Sequence, residues 1–469
     1  MTNWIPDLSA GAGPLYQRLA EKIEADIDAG VLAHGAKLPP QRDLAFDIRT
    51  TVGTVGRAYA LLRERGLVSG EVGRGTYILA RSAEPRPAHA ADPSREGTRL
   101  IEAPAGKLRF DTTAAPDVGQ GDVLNGLLAA IAAECPGDVV NYTRTFPQGW
   151  YEAGSRWLSR SGYTPSPDGI VPALGVHAAA MTIVSALTNA GDSVVFENLT
   201  YAQVARGTSL LGRRVSLVRS DEDGIDPEDF GAVCAQKHPK LAFVMPSAQN
   251  PTCATMPAGR REEIARIAQR HNVLLIEDDL YGYMADDGLP LLAQLAPERT
   301  FVLGGMSKSV APGIRGGWIA CPEEYRHRLR IAHKMLTGGL PFLLAEAAAR
   351  LVLSGQAEAI HRRALAEINA RLALVKAALA GCDYNACTNI PFVWLALPEP
   401  WNSGTFKQAA FANGVLVDDE DEFKAGRSEQ VFHRIRFGIS AGSRADVTEG
   451  LNVLRRLLDE GPVGYEQYD

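Results

Sequence analysis

Three side chains of this 469-residue chain have the type and the placement for covalent chemistry on an aldehyde. Lys308 follows the apolar run TFVLGGM, and strand ends are where a parallel sheet presents reactive groups. Burial among positive neighbours would lower the pKa of its amine and favour imine formation. Asp278, or its neighbour Asp279, ends the apolar run NVLLIE, where a carboxylate needs a cationic partner. Arg315 follows seven residues after Lys308, and its guanidinium suits bidentate hydrogen bonding to a phosphate.

These groups meet the demands of pyridoxal phosphate, which needs a Schiff-base lysine and a carboxylate at its pyridine nitrogen. The sequence offers partners for the ring oxygen and the phosphate as well. The ring oxygen would be bound by Asn250 and Tyr281, and the phosphate by the Ser307 hydroxyl and the helix-start N–H groups of Gly175, Val176 and His177. Taken alone, Asn250 is equally an ordinary turn residue before a proline, and an isolated lysine is usually a solvated charge.

Two further residues are candidates for the same site. Tyr201 follows the run SVVFE and would stack on the pyridine ring, while Arg436 in IRFGIS would pair with a ligand carboxylate. Single aromatic and arginine residues more often have packing or surface roles. The acidic run 418–422 is interpreted as a solvated loop near Arg436. No metal site is expected, because the nine histidines show no zinc-ligand spacing.

The residues around this site alternate between apolar runs and amphipathic helices, which indicates an α/β fold with a mostly parallel large sheet. The expected strands are SVVFEN, LAFVMPS, NVLLIEDD, TFVLGGM and GGWIAC. A long helix over about 356–380, followed by strands near PFVWLAL and HRIRFGIS, predicts a smaller C-terminal α+β subdomain. The expected boundaries are 107–350 for the large domain and 351–469 for the subdomain.

Residues 1–80 have another pattern, with three short helices and a hairpin, which is typical of a winged helix-turn-helix. LYQRLAEKIEADID has an apolar residue every four positions, and a second helix begins at Gln41. The third helix is expected to be capped by Thr50 and Thr51 and to bury Val52, Val55, Tyr59 and Leu62. The run LVSGEVGRGTYIL predicts the hairpin. Residues 81–106 are rich in Pro, Ala and charge and predict a linker.

The formal charge of −7, averaged over the chain, argues against a nucleic-acid partner. Residues 48–76, however, hold five Arg against two Glu, a local net charge of +3. In a helix-turn-helix the second helix of the motif enters the major groove, and flanking cations contact phosphates. The expected contacts to double-stranded operator DNA are Arg42, Thr51, Thr54, Arg57 and Arg74. A winged helix that binds a protein instead of DNA is the alternative.

Composition restricts the class of protein further. An apolar fraction of 46% and a charged fraction of 22% are ordinary for globular chains. No apolar run reaches the ~18 residues of a membrane span, and the first residues lack the features of a secretory signal. The six cysteines form no C-x-x-C pair, so free thiols and a cytoplasmic localisation are expected.

The N-terminal motifs resemble the DNA-binding domain of GntR-type bacterial transcription regulators over residues 14–79, through the Leu-Pro entry to helix two, Arg-Ala-Tyr in helix three and the Gly-rich wing. The motifs G-x-S-K, P-G-x-R-G-G-W and D-x-x-Y resemble class I/II aminotransferases over residues 107–469. Such enzymes are fold-type I, pyridoxal phosphate-dependent transferases. The combination resembles the MocR subfamily of GntR-type regulators.

This resemblance implies roles for several residues. The D-x-x-Y spacing selects Asp278 over Asp279, and Tyr142 in NYTRTFPQGW is similar to a tyrosine that reaches the partner subunit's phosphate in a head-to-tail homodimer. Where relatives often start helix three with Ser-Arg, this chain has Thr51-Val52, and Arg49 is the candidate substitute for the missing DNA contact. His177, Leu199, Cys253 and Gly305 also depart from the usual aminotransferase residues, and none of these changes removes an essential group.

The resemblance implies a pyridoxal phosphate-dependent, ligand-responsive transcription regulator. An amine or amino-acid-like effector would be sensed by aldimine exchange at Lys308, and the exchange would alter operator binding. Two alternatives remain open: an active class I/II aminotransferase with an accessory DNA-binding head, and a sensor of pyridoxal phosphate itself. Enzymatic turnover is not expected to be the primary role, and no membrane partner is expected.

Overall fold

The computed structural model describes residues 4–8, 14–33, 36–64, 67–71, 75–78, 97–100, 102–426 and 430–461. They form two compact units, Met1–Pro93 and Ser94–Asp469, which we call the head and the body. Most of the predicted linker 81–106 lies outside the described residues, and its last part belongs to the body. Each unit is described by itself.

The head contains the three helices and the hairpin that the sequence predicts. The helices are α1 (Leu15–Asp28), α2 (Gln41–Asp47) and α3 (Val52–Glu64), and the antiparallel hairpin pairs β1 (Val68–Glu71) with β2 (Gly75–Ile78). Ile23, Leu44 and Tyr59 lie in its apolar core. The predicted apolar face of α3 is wrong at its first residue, because Val52 is 45% exposed and the buried stripe starts at Val55.

The body is built on a seven-stranded sheet with the order β4-β12-β11-β10-β9-β5-β6. These strands are β4 (Ile170–Ala173), β5 (Ser193–Glu197), β6 (Arg214–Val218), β9 (Leu241–Val244), β10 (Leu274–Asp278), β11 (Thr300–Gly305) and β12 (Gly317–Ala320). β12 runs antiparallel to both of its neighbours and the other pairs are parallel, which confirms the prediction of a mostly parallel sheet. β12 is reversed because the short segment after β11 lacks the long crossover helix that a parallel return needs.

Helices cover the sheet, and successive side chains of its strands enter different cores. Ile276 and Phe301 belong to one apolar cluster, whereas Leu275 and Val302 belong to two others. The helices of this part are α4 (Gln120–Glu134), α5 (Pro136–Val139), α6 (Gln148–Trp157), α7 (Gly175–Leu187), α8 (Ala202–Leu210), α9 (Pro227–Lys237), α10 (Ala258–Arg270), α11 (Gly282–Ala285), α12 (Leu292–Leu295), α13 (Glu323–Thr337) and α14 (Phe342–Leu353). A two-stranded pair, β7 (Ser220–Asp221) and β8 (Gly224–Ile225), lies in the loop before α9.

The C-terminal part has the α+β character that the sequence predicts. Its helices are α15 (Gln356–Ala378), α16 (Ser403–Ala412) and α17 (Arg444–Glu460), and its antiparallel sheet has the order β13-β14-β17-β16. The strands of that sheet are β13 (Tyr384–Asn385), β14 (Phe392–Ala396), β16 (Asp418–Asp419) and β17 (Arg434–Gly438). β3 (Leu108–Arg109) pairs in parallel with β15 (Val415–Leu416), so the start of the predicted large domain packs against this subdomain. No helix in the described ranges has the length and apolar character to cross a membrane.

Candidate functional site

The predicted cofactor residues meet in a cavity of about 260 Å³ at the carboxyl ends of β9, β10 and β11. This is the edge at which parallel α/β sheets bind ligands. The predicted residues that line it are Gly175, Val176, His177, Tyr201, Asn250, Asp278, Tyr281, Ser307, Lys308, Arg315 and Arg436. Tyr142 lies outside this lining and its side chain is 87% exposed.

Lys308 follows the end of β11 and projects its amine toward a hydroxyl pair. Its Nζ donates to Thr113 Oγ1 at 2.9 Å, and that hydroxyl lies 2.8 Å from the Tyr281 hydroxyl. Burial lowers the pKa of Lys308 to about 7, and the positive potential of Arg436 and Arg99 acts in the same direction. A substantial fraction of the amine is therefore neutral at neutral pH, which is the nucleophilic form.

Three consecutive carboxylates at the end of β10 have three different environments. Asp279 forms a two-pronged ion pair with Arg160, with Nη2–Oδ1 and Nε–Oδ2 distances of 2.5 and 2.6 Å. Glu277 accepts two backbone N–H groups at the start of α12. Asp278 lines the cavity, is 2% exposed, and accepts the Leu280 N–H at 3.1 Å. Burial raises the pKa of Asp278 to about 7, because no strong cationic partner offsets the cost of burying its ionised form. The structure thus favours Asp278 over Asp279 as the cavity carboxylate.

The opposite end of the cavity suits an anion. α7 begins at Gly175 with φ of 77°, and its first N–H groups carry the positive end of the helix dipole. A Cβ on Gly317 would lie 2.7 Å from Gly175 Cα, so glycine is required for this close approach. The Arg315 side chain is exposed, and its Nη2 lies 3.5 Å from the Leu174 carbonyl oxygen. His177 Nδ1 is buried and has no hydrogen-bond partner among the described residues.

The residues predicted to contact the ring and the ligand also have defined partners. Tyr201 lies edge-to-face with His177, with ring centroids 5.9 Å apart. Arg436 Nη1 donates to Asn250 Oδ1 at 2.9 Å, and its Nη2 donates to Asp418 Oδ2 at 2.5 Å. The Arg436 Nε is buried and has no partner in the described part of the chain.

The prediction that the acidic run 418–422 is a solvated loop is wrong. Asp418, Asp419, Glu420 and Glu422 are buried, and only Asp421 is exposed. Burial of so many carboxylates is possible because cations from other segments pair with them, as Lys407 does with Asp419 at 3.3 Å. A run of acidic residues therefore marks an internal network here.

These groups fit pyridoxal phosphate by their chemistry. A partly neutral lysine amine can condense with an aldehyde, and the buried Asp278 carboxylate can pair with a protonated ring nitrogen. The N–H groups at the start of α7 and the Arg315 guanidinium would supply donors for a phosphate. The donor set is complete for this cofactor, and the described residues contain no group of three or more side chains that could hold a metal ion.

Sequence reasoning missed several residues of the cavity, among them Thr113 and Arg99. Thr113 bonds the Lys308 amine, and it lies in the short stretch FDTTAAP, which has no distinctive motif. Arg99 lines the cavity although the sequence places it in the linker. Its only sequence signal is a single cation in a charged stretch, which is too common to identify a binding residue.

The predicted DNA-contacting residues of the head are mostly on its surface. Arg42, Arg49, Thr51 and Arg57 are exposed, and Thr54 is half-buried. The Thr51 hydroxyl accepts the Thr54 N–H at 3.2 Å, which confirms it as the cap of α3. Arg74 lies outside the described residues. Arg49 lies shortly before α3 and Arg57 lies within it, and the corresponding helix of a helix-turn-helix meets base edges.

Comparison with known families divides the chain in the same way as its structure. Residues 134–454 match the family "Aminotransferase class I and II", and residues 15–78 match "Bacterial regulatory proteins, gntR family". The body resembles an archaeal alanine:glyoxylate aminotransferase with a TM-score of 0.69 at 24% identity, over 76% of this chain and 91% of that one. This likeness establishes the fold of the body.

Relatives with both parts are named as regulators. The uncharacterized HTH-type transcriptional regulator YdeF of Bacillus subtilis is 30% identical over 98% of this chain and 97% of its own length. The probable rhizopine catabolism regulatory protein MocR of Rhizobium meliloti is 25% identical over 94% of this chain and 93% of its own. The chain belongs to the aminotransferase class I and II family and, with its GntR-family head, has the architecture of the MocR-type HTH transcriptional regulators.

Proposed function

We propose that this protein is a pyridoxal phosphate-dependent transcription regulator that responds to an amine or amino-acid-like effector. The observation that carries the proposal is the pairing, in one cavity, of a lysine whose pKa is about 7 with the buried carboxylate of Asp278. The same chain carries a GntR-family head with exposed arginines. A covalent amine-binding site and a DNA-binding module are thereby joined in one polypeptide.

When bound, pyridoxal phosphate supplies an aldehyde that amines attack and a ring that withdraws electrons. Lys308 provides the amine, and Asp278 holds a proton on the ring nitrogen by its negative charge. Asn250 and Tyr281 donate toward the ring oxygen. The phosphate is held by Ser307, Arg315 and the N–H groups that begin α7.

If pyridoxal phosphate is bound, its aldehyde would be open to an effector amine as well as to Lys308, and Arg436 would orient an effector that carries a carboxylate. The free Lys308 amine has Thr113 as a hydrogen-bond partner at 2.9 Å. A ligand shifts a conformational equilibrium only by its differential affinity for the two states. The effector must therefore bind one of two body conformations more tightly, and those two conformations must differ in their affinity for the operator.

The proposal includes a head-to-tail homodimer on double-stranded operator DNA. Tyr142, 87% exposed, is available to reach the phosphate site of a second copy. Two heads would then read two half-sites of an operator. Arg42, Arg49, Arg57 and Arg74 are the proposed arginine contacts, together with Thr51 and Thr54.

The cofactor part is tested by borohydride reduction of the cofactor-loaded protein and mass mapping of its peptides. The expected result is a phosphopyridoxyl group on Lys308 and none on a Lys308→Ala variant. Modification of another lysine, with Lys308 unmodified, would refute the assignment. The regulatory part is tested by footprinting the DNA upstream of the protein's own gene, where protection should disappear in Arg57→Ala.

An active aminotransferase with a DNA-binding head is a second candidate, because Lys308, Asp278 and Arg436 form a complete catalytic set in the cavity. Steady-state turnover with a panel of amino donors and 2-oxo acids separates the two functions. Rapid turnover would favour the enzyme, and a single half-reaction without turnover would favour the regulator. A pure sensor of pyridoxal phosphate would change its DNA affinity on cofactor loading and show no response to amines.

A further inference from the structure

The effector cavity contains a second arginine besides Arg436. Arg99 lines the same cavity, and its side chain is 31% exposed. It lies six positions after Pro93, the last residue of the head unit, and therefore at the start of the body. Two guanidinium groups at one cavity repel each other unless an anion is shared between them.

Asp418 is that shared anion. Its carboxylate accepts Arg99 Nε at 2.9 Å and Arg99 Nη2 at 2.6 Å, and it accepts Arg436 Nη2 at 2.5 Å. Although burial alone would raise it, the pKa of Asp418 is held below its ordinary value by Arg436 and Arg99. The three side chains together carry a net charge of +1. Asp418 is a positioning residue that lies behind both arginines, because it is fully buried and does not line the cavity.

The backbone that carries Arg99 is fixed by the buried acidic network. The N–H groups of Thr98 and Arg99 donate to Glu422 Oε2 at 2.8 and 3.1 Å. The Thr98 carbonyl accepts Lys407 Nζ at 2.7 Å. Arg99 is therefore presented to the cavity by an ordered segment, which is the condition for selective recognition. Its Nη1 makes no hydrogen bond to any described residue that would compete with a ligand.

We propose that Arg99 is an effector-binding residue and that the effector is an amine with two acidic groups. This proposal rests on the proposed function of the cavity as an amine site. One carboxylate pairs with Arg436 beside Asn250, and the second pairs with Arg99. Because two separate guanidinium groups line the cavity, a ligand with two carboxylates can pair with both at once, and a ligand with one carboxylate cannot. An effector held in this way also contacts residues of the sequence-predicted linker 81–106, of which 97–100 are described.

The test compares acidic amino acids with their neutral amides on full-length protein loaded with pyridoxal phosphate. Dissociation constants come from the visible absorbance change on titration with L-glutamate, L-glutamine, L-aspartate and L-asparagine. Wild type should bind at least one acid roughly 10- to 100-fold more tightly than its amide, as expected for a charged hydrogen-bonded pair. Arg99→Gln should reduce this ratio to within about threefold of unity. Arg109→Gln is the matched control, since Arg109 pairs with Asp111 at 2.7 Å outside the cavity lining, and it should keep the wild-type ratio.

The other outcomes distinguish a failure of the role of Arg99 from a failure of the proposed amine sensing. A wild-type protein that responds equally to acid and amide, or an unchanged ratio in Arg99→Gln, overturns the role of Arg99 alone. The absence of any spectral response to all four amines, in a protein that binds the cofactor, overturns the two-acid effector and the role of Arg99, whereas the proposed amine sensing fails only if the whole panel of amino donors gives no response. If Arg99→Gln does not load the cofactor, Arg99→Lys replaces it, and a ratio at least threefold below wild type is expected.

Discussion

Replacing Asp278 by asparagine should stabilise the cofactor-free protein against unfolding and lower its affinity for pyridoxal phosphate. The raised pKa of Asp278, about 7 against an ordinary 3.8, means that its ionised form is disfavoured by burial. This difference corresponds to about 4 kcal/mol at most. Because the folded pKa lies above the unfolded one, the destabilisation is absent below pH 3.8, grows as pH rises, and is complete above about pH 7.

The same substitution should weaken the binding of pyridoxal phosphate. The carboxylate pairs with a protonated ring nitrogen in a buried site, and loss of one partner of such a pair costs about 2–5 kcal/mol. The dissociation constant of pyridoxal phosphate should therefore rise between about 30-fold and about 4,000-fold in Asp278→Asn. Thermal unfolding of the cofactor-free variant at pH 6 and pH 8.5 should show a higher Tm than wild type, with the larger gain at the higher pH.

Glu277→Gln is the matched control, because Glu277 is the preceding residue of the same strand and its carboxylate accepts backbone N–H groups instead of lining the cavity. Its cofactor affinity should equal that of wild type. The reasoning would be refuted if Asp278→Asn bound pyridoxal phosphate with wild-type affinity. It would also be refuted if the variant lowered the Tm of the cofactor-free protein at both pH values.

Three further predictions concern the amine, the phosphate site and the head. Because the pKa of Lys308 is about 7, the rate of cofactor incorporation, followed by absorbance, should rise about tenfold per pH unit below 7 and level off above about pH 8; a continued rise toward pH 10 would contradict this assignment. Gly317→Ala places a Cβ 2.7 Å from Gly175 Cα and should weaken cofactor binding at least about tenfold, whereas Gly313→Ala, with nothing within 4 Å, should not; equal affinities would contradict the close approach. Arg57→Ala should weaken operator binding in gel shift by roughly tenfold or more, and an unchanged affinity would remove Arg57 from the interface.

The chemistry of the site could be predicted because its residues follow from local rules. Lys308 and Asp278 each end a strongly apolar run, and such runs predict buried parallel strands whose carboxyl ends meet. The strands β9, β10 and β11 and the long helix α15 follow from the same apolar periodicity. The choice of Asp278 over Asp279 came from the D-x-x-Y resemblance, and the structure adds its physical reason, because Arg160 already neutralises Asp279.

The remainder depended on contacts between residues far apart in the chain. Arg99 and Asp418 are separated by more than 300 positions, and neither lies in a sequence motif that predicts their contact. A run of five acidic residues is solvated in most proteins, so its burial could be recognised only through the cations that reach it. Val52 shares the helical period of Val55, yet its position at the first residue of α3 leaves it 45% exposed. Periodicity predicts which face of a helix is apolar, but it does not predict how far along that face the neighbouring elements cover it.

The central claim is that one chain couples amine binding at Lys308 to DNA binding by the head. Its most direct test is the operator affinity of cofactor-loaded and cofactor-free protein, measured by fluorescence anisotropy with and without saturating amine. The account predicts an amine-dependent change in Kd for the loaded protein and none for the cofactor-free protein, with both still binding the operator. An unchanged Kd of the loaded protein, or an equal change in both preparations, would contradict it.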